Sequence, residues 1–198
     1  MTSLRKLVKS CQKSGPGRAV PAAVRLPSTL VTSLHRTRRS TVRAALVADG
    51  IDALLVTDLI NVRYLTGFTG SNAALLLVAA DDEETEQAHG HTDRTTDEAD
   101  PRTRFCTDGR YTLQSQEQVP DLPRLIARPC DVALLRGAPA GSVGFEARSL
   151  PVAAYDVLAA VARERPRPVS LRTTLDVVEA ARVIKDPTEI DALSRACQ

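Results

Sequence analysis

The chain has 198 residues, 43% of them hydrophobic, and a formal net charge of +2, enough for one ordinary hydrophobic core and too little for two large ones. Three Tyr, three Phe and no Trp leave too few rings for base-stacking platforms or aromatic cages, so the core must be built from Ala, Val, Leu and Ile. The longest apolar runs, such as residues 73–80, fall far short of the roughly eighteen residues that a membrane span requires.

The net charge hides an asymmetry, because residues 1–48 carry ten Lys and Arg and no acid. Residues 1–27 read as a basic, disordered extension; an organelle-targeting sequence and a nucleic-acid tail are the competing readings. Pro16, Gly17 and Pro21 interrupt the segment before any apolar stretch of secretory length forms, which points to the cytoplasm. From Ser33 to Ala48 the pattern predicts a helix, with Leu34, Val42, Ala45 and Leu46 toward one face, arginines on the others, and Gly50 as the stop. Ile51–Thr57 reads as a strand covered on both faces. The polar and aromatic stretch DLINVRYLTGFTGSN follows and leads into a second buried strand, Ala73–Ala80.

Residues 81–101 contain nine acids, His89 and His91, and no Leu, Ile, Val or aromatic, the composition of a solvated loop. Arg104–Thr107 resumes as a strand, DGRY turns into a helix through Val119, and LPRLIARP suggests another strand. Ser142–Glu146 reads as a strand, after which Ser149 and Pro151 can open a helix to Arg163. A brief extended piece follows PRPV. Thr174–Lys185 reads as a helix with Leu175, Val178, Ala181 and Ile184 available for burial. Asp186, Pro187 and Glu189 then form an N-terminal capping signature for a last helix, which carries Ile190, Leu193 and Cys197 on one face. Strands alternating with helices give an α/β fold, a mixed β-sheet flanked by helices.

The motif inventory excludes more than it offers. No Walker loop, GxGxxG, GxSxG or HExxH occurs, and four Cys at 11, 106, 130 and 197 without a CxxC pair read as scattered reduced thiols. The HGH of the acidic loop could hold a divalent ion only adventitiously. Two stretches stand out. In NVRYLTGFTGSN, Tyr64 and Phe68 are rare aromatics four apart, flanked by the donors Arg63, Ser71 and Asn72. They either anchor a short helix capped by Asn61 or face a ligand. In DGRY, an Asp108 to Arg110 contact that stabilises a turn competes with a substrate role. Glu146 reads as a structural acceptor, either capping the following helix or taking a neighbouring backbone amide.

In order along the chain, GIDALLV, NVRYLTGFTGSNAALLLV, DGRY, VGFEARSLPVAAYDVL and VEAARVIKDPTEIDALSRAC resemble the N-terminal domain of the creatinase, prolidase and aminopeptidase P family, over residues 34–198 apart from the acidic loop. The resemblance implies an RNase-H-like mixed sheet over residues 28–185, with residues 186–198 as the cut start of a pita-bread catalytic domain that no other segment matches. In the family that domain binds two divalent ions, usually manganese or cobalt, through two Asp, one His and two Glu, and activates a hydroxide against the bond before proline. The chain is accordingly expected to be a truncated product or split reading frame, inactive alone, with no catalytic residue, cofactor or metal site of its own. Its implied partners are its own catalytic domain, further copies of itself, and a peptide with proline at the second position, but no membrane and no nucleic acid. Asn61, Arg63, Tyr64, Phe68 and Arg110 carry across as candidate substrate contacts. The alternative reading is a stand-alone protein-interaction module.

Overall fold

Two apolar strands at the centre of the sheet determine what surrounds them. Strand β1 (Ala53–Val56) pairs antiparallel with β2 (Ala73–Val78), in the register Ala53 to Val78 through Val56 to Leu75. Both are buried on both faces: Leu54, Val56, Leu75 and Leu77 enter one cluster, and Ala53, Leu55, Ala74 and Leu76 the other. Side chains two apart share a face, so continuous apolar sequence feeds two cores at once. The computed structural model describes residues 28–79 and 100–197. The basic extension, most of the acidic loop with its two His, and Cys11 lie outside the described residues.

The six-stranded sheet has the order β4–β3–β2–β1–β5–β6, with β3 Thr103–Thr107, β4 Arg124–Ile126, β5 Gly141–Glu146 and β6 Val169–Thr174. Neighbours β1, β2 and β3 are antiparallel, whereas β3–β4, β1–β5 and β5–β6 are parallel. Every strand but β2 therefore ends at the same edge of the molecule. Helices α1 (Ser28–Ala48), α2 (Leu59–Thr66) and α6 (Val177–Val183) cover one face through Val42, Leu46, Val62, Leu65 and Val178. Helices α4 (Cys130–Arg136) and α5 (Val152–Glu164) cover the other through Val132, Leu135, Leu158 and Val161. Helix α3 (Thr112–Gln118) follows a 3-10 turn at Gly109–Tyr111, and α7 (Pro187–Ala196) closes the described chain. The expected mixed sheet flanked by helices is what the chain forms.

Several boundaries and faces differ from the sequence reading. Helix α1 begins at Ser28, and its arginines do not all face outward: Arg39 is 0% exposed and Arg43 is buried, while Leu34 and Ala45 are only half-buried. Asp100, read as part of a solvated loop, is buried with them. Arg39 donates to Asp121 (2.5 Å), to Asp100 (3.2 Å) and to the Leu65 carbonyl (3.0 Å). Arg43 donates to Asp100 (2.7 Å) and to the Val78 carbonyl (3.0 Å). Buried charges persist where they are paired and fully hydrogen-bonded, and these are. Burial alone would raise Asp100, but its hydrogen bonds from Arg43 hold it below the usual carboxylate value.

Helix α4 was not anticipated, because seven residues are too few to show a helical period. Thr174 belongs to β6, and α6 spans only Val177–Val183, leaving Leu175 60% and Ile184 83% exposed instead of buried. Pro151 precedes α5 with no side-chain cap, and the Ser149 hydroxyl donates instead to the Glu146 carbonyl (3.3 Å). Helix α7 has the anticipated capping box: Asp186 accepts the Thr188 and Glu189 amides, and Glu189 accepts the Asp186 amide.

Replacing Arg39 with Ala removes the guanidinium from two buried carboxylates and is expected to cost about 3–5 kcal/mol. Ser40→Ala, on the exposed face of the same helix, should stay within about 0.5 kcal/mol, and urea denaturation measures both. His35, buried on α1, supplies a pH-dependent counterpart: burial first, then Arg38 and Arg39, lower its pKa from 6.5 to about 4. The unfolded chain thus takes up this proton at higher pH than the fold does. The contribution is full above about pH 6.5 and lost as pH falls toward 4, about 3 kcal/mol in all. The urea midpoint is expected to drop over that range, with His35→Gln flattening this part of the drop.

Candidate functional site

The shared carboxyl end of the strands concentrates the polar residues, as open α/β sheets commonly do. Where β1 ends, Asp58 caps α2 by accepting the Ile60 amide at 2.7 Å; Asn61, expected as the cap, lies one turn inside the helix. Its neighbour β5 ends at Glu146, which accepts the Thr57 and Asp58 amides at 2.7 and 2.8 Å and the Asn61 amide group at 2.7 Å. This fulfils one of the two structural readings of Glu146. Asn61 also donates to Glu179 (2.7 Å) and accepts from Arg182 (2.9 Å), so a fully buried amide has both its N–H donors and its oxygen bonded. Burial pushes Glu146 above the ordinary carboxylate value, against the opposing pull of these donors.

The other candidates occupy three different environments. Tyr64 donates from Oη to the Ala181 carbonyl (3.0 Å), and the Arg38 guanidinium lies 4.2 Å over its ring. Since Arg38 also bonds Asp186 at 2.5 Å, Tyr64 stands in the joint of α1, α2, α6 and α7. Phe68 is a core residue, edge-on to Phe105 at 4.9 Å and to Tyr111 at 5.6 Å. Arg63 is exposed on α2, and its carbonyl accepts the amide of Gly67, whose φ of 79° ends the helix in the left-handed region open to glycine.

Arg110 sits at the carboxyl end of β3. Asp108 accepts its backbone amide (3.0 Å), its Nε (3.1 Å) and its Nη2 (2.8 Å), and also the Asn72 amide group (2.7 Å). Arg110 foremost, assisted by Asn72, holds the Asp108 carboxyl well below the usual range. The turn-stabilising contact expected of DGRY is therefore present. It leaves the Arg110 side chain 60% exposed, beside an open recess lined by Asp108, Gly109, Arg110, Ile126, Ala127 and Arg128. The Arg110 guanidinium lies 5.3 Å from the Tyr111 ring, and the Tyr111 and Ser71 hydroxyls are hydrogen-bonded at 2.7 Å.

The five sequence candidates thus do not converge on one pocket: Asn61 and Phe68 are buried, Tyr64 is partly covered, and Arg63 and Arg110 reach solvent on separate elements. Sequence reasoning passed over Glu179, Arg182 and Arg128. The three-residue spacing of Glu179 and Arg182 on one helix was the available signal; Arg128 had none. A dinuclear metal centre does not fit these residues, because Asp100, Asp108 and Glu146 already accept bonds from guanidinium groups or amides. Among the described residues no group of three or more His, Cys, Asp or Glu side chains is arranged to hold a metal ion, and no helix is long and apolar enough to cross a membrane.

Residues 38–184 match the model of the creatinase/prolidase N-terminal domain. The chain belongs to that family. The domain is similar to the N-terminal domain of the cytoplasmic peptidase PepQ from Mycobacterium tuberculosis, with 36% identity and a TM-score of 0.60 over 74% of this chain and 98% of that one. It is also similar to a creatinase/prolidase-like N-terminal domain from Corynebacterium diphtheriae, at 37% identity and a TM-score of 0.56 over 72% and 97% of the two chains. An uncharacterized peptidase of Bacillus subtilis is 31% identical over 155 residues, 75% of this chain. The chain spans 36% of the length of that curated relative. All five candidates lie within the family match, and α7 lies beyond it.

Within this creatinase-type domain, the buried and exposed ends of the polar edge should separate on mutation. Glu146→Ala strands two backbone amides and Asn61 and is expected to cost about 3 kcal/mol. Arg110→Ala, at an exposed side chain, should leave the thermal midpoint close to that of the parent. Thermal and urea unfolding of the two variants check this.

Proposed function

We propose that the chain serves as the non-catalytic N-terminal part of a metallopeptidase that cleaves peptides with proline at the second position, shaping the substrate cleft and contributing to self-association in the cytoplasm. The match over residues 38–184 to a domain named for prolidase carries this reading. The two divalent ions, manganese or cobalt, and the hydroxide chemistry belong in this proposal to a separate catalytic domain that residues 186–198 lead into, with residues 28–185 as the N-terminal domain. The 53% exposure of Ile190 and of Leu193 on α7 supports a packing partner for that helix.

Of the five candidates, Arg110 is the best placed to meet a peptide. Asp108 fixes its Nε and Nη2, which orients the guanidinium, while the exposed remainder of the group can donate to a carbonyl or carboxylate of a bound peptide. Arg63 is a second exposed cation. Asn61 and Tyr64 act in this reading through the shape of α2, and Phe68 through the core just after it, since each is held by protein contacts. The alternative, an independent interaction module, draws on the same exposed apolar residues of α7.

The test is kinetic, in a polypeptide that carries this domain ahead of a pita-bread catalytic domain. Arg110→Ala is expected to raise KM for an Xaa-Pro peptide about three- to tenfold while kcat changes less than about twofold, because a contact remote from the scissile bond contributes uniform binding. Arg110→Lys should recover part of the loss. Unchanged kinetics in both variants would remove Arg110 from the cleft.

A further inference from the structure

Two thiols that the family reading does not use approach the carbonyl of Ala127, a residue that lines the Arg110 recess. Cys106 is the penultimate residue of β3, two residues before Asp108, and Cys130 opens α4, two residues after Arg128. Both are buried in the same apolar cluster, among Leu76, Val132 and Leu134. Their sulfurs contact one oxygen: the Ala127 carbonyl lies 3.9 Å from Cys106 Sγ and 3.4 Å from Cys130 Sγ. Ala127 and Arg128 line the recess on one side and Asp108 and Arg110 on the other, so the thiol pair lies at the joint between the two walls.

We propose that Cys106 and Cys130 form a reversible dithiol–disulfide couple that crosslinks the two walls of the Arg110 recess, oxidised by hydrogen peroxide and reduced by a small thiol. The pair is chemically unequal. The neighbouring Cys130 foremost lowers Cys106 below the ordinary thiol value, whereas Cys106 foremost, then burial and the Asp108 and Asp131 charges, push Cys130 up. Cys106 is thus the thiol that reacts first. Its thiolate sulfur attacks one peroxide oxygen; the O–O bond breaks and the hydroxide released takes a proton, leaving a sulfenic acid on Cys106 and one water. Cys130 Sγ then attacks the Cys106 sulfur; the S–O bond breaks, and the departing hydroxide takes the Cys130 proton as the second water. Two thiols and one peroxide give one disulfide and two waters. Two molecules of a small thiol reverse the step by exchange and leave as their own disulfide.

The test uses the full chain, reduced and then exposed to hydrogen peroxide, with free thiols alkylated before digestion without reductant. A Cys106–Cys130 linked peptide in monomeric protein, lost on treatment with dithiothreitol, is the expected result. In Cys130→Ser the sulfenic acid of Cys106 should accumulate and be trapped by dimedone, and in Cys106→Ser no linkage should form. If the folded protein yields only linkages through Cys11 or Cys197, or keeps both buried thiols unoxidised until it is unfolded, the proposal fails. The mapping of the parent chain decides the matter even if a Ser variant does not fold. It is also independent of the peptidase reading, since no catalytic domain takes part.

Discussion

The domain depends on a charge cluster placed where a helix would ordinarily present apolar side chains. Arg39 and Arg43 enter the interior from α1 and converge on Asp100, which precedes β3, with Asp121, which precedes β4, completing the set. Helix α1 is thereby tied to two separated stretches of chain, and the carbonyls of Leu65 and Val78 add α2 and β2 to the group. An apolar contact tolerates sliding by a fraction of a turn; a buried guanidinium with defined acceptors does not, because an unmatched donor in a low-dielectric interior costs free energy that nothing nearby can offset. The cluster therefore acts first on geometry, fixing the register of α1 against the sheet.

Fixing α1 also fixes α2, and through α2 the polar edge of the sheet. Arg38, on the face of α1 next to Arg39, bonds the Tyr64 carbonyl and covers its ring, and Asn61, one turn earlier, reaches Glu146 and Glu179. The carboxylates at this edge are occupied in building turns: Asp58 and Asp108 hold local amides, and Glu146 bridges β1 to β5. This edge would be the natural place for chemistry in an α/β sheet, yet its acids are already bonded within the fold. Among the described residues, Arg110 and Arg63 are two cations that this region leaves exposed.

The exposed apolar residues that flank α6 and those on α7 differ in meaning. Leu175 and Ile184 flank a short helix whose only fully buried residue is Val178, so their exposure follows from the brevity of α6. On α7 the apolar residues recur at helical spacing on a capped helix attached through an ion-paired joint, Arg38 to Asp186 and Glu189. A helix of ten residues has little intrinsic stability, and that joint ties it to the domain.

Local chemistry made much of this legible from sequence. The doubly buried strands β1 and β2 announce themselves as unbroken apolar runs, the α7 capping box needs only residues within one turn, and the Asp108 to Arg110 contact spans two positions; each is settled by neighbours in the chain. The ordered motifs from GIDALLV to VEAARV were enough to point to the family. Tertiary structure alone decided what depended on partners far away. Arginine on a helix reads as a solvent face until Asp100 and Asp121, some sixty and eighty residues on, are brought beneath it. Asn61 reads as a cap until Glu146, Glu179 and Arg182 surround it. Cys106 and Cys130 read as unrelated thiols until β3 and α4 place them on one carbonyl. In each case the side chain's state is set by the desolvation and pairing it meets in the fold, and no local pattern encodes a partner that only long-range packing supplies.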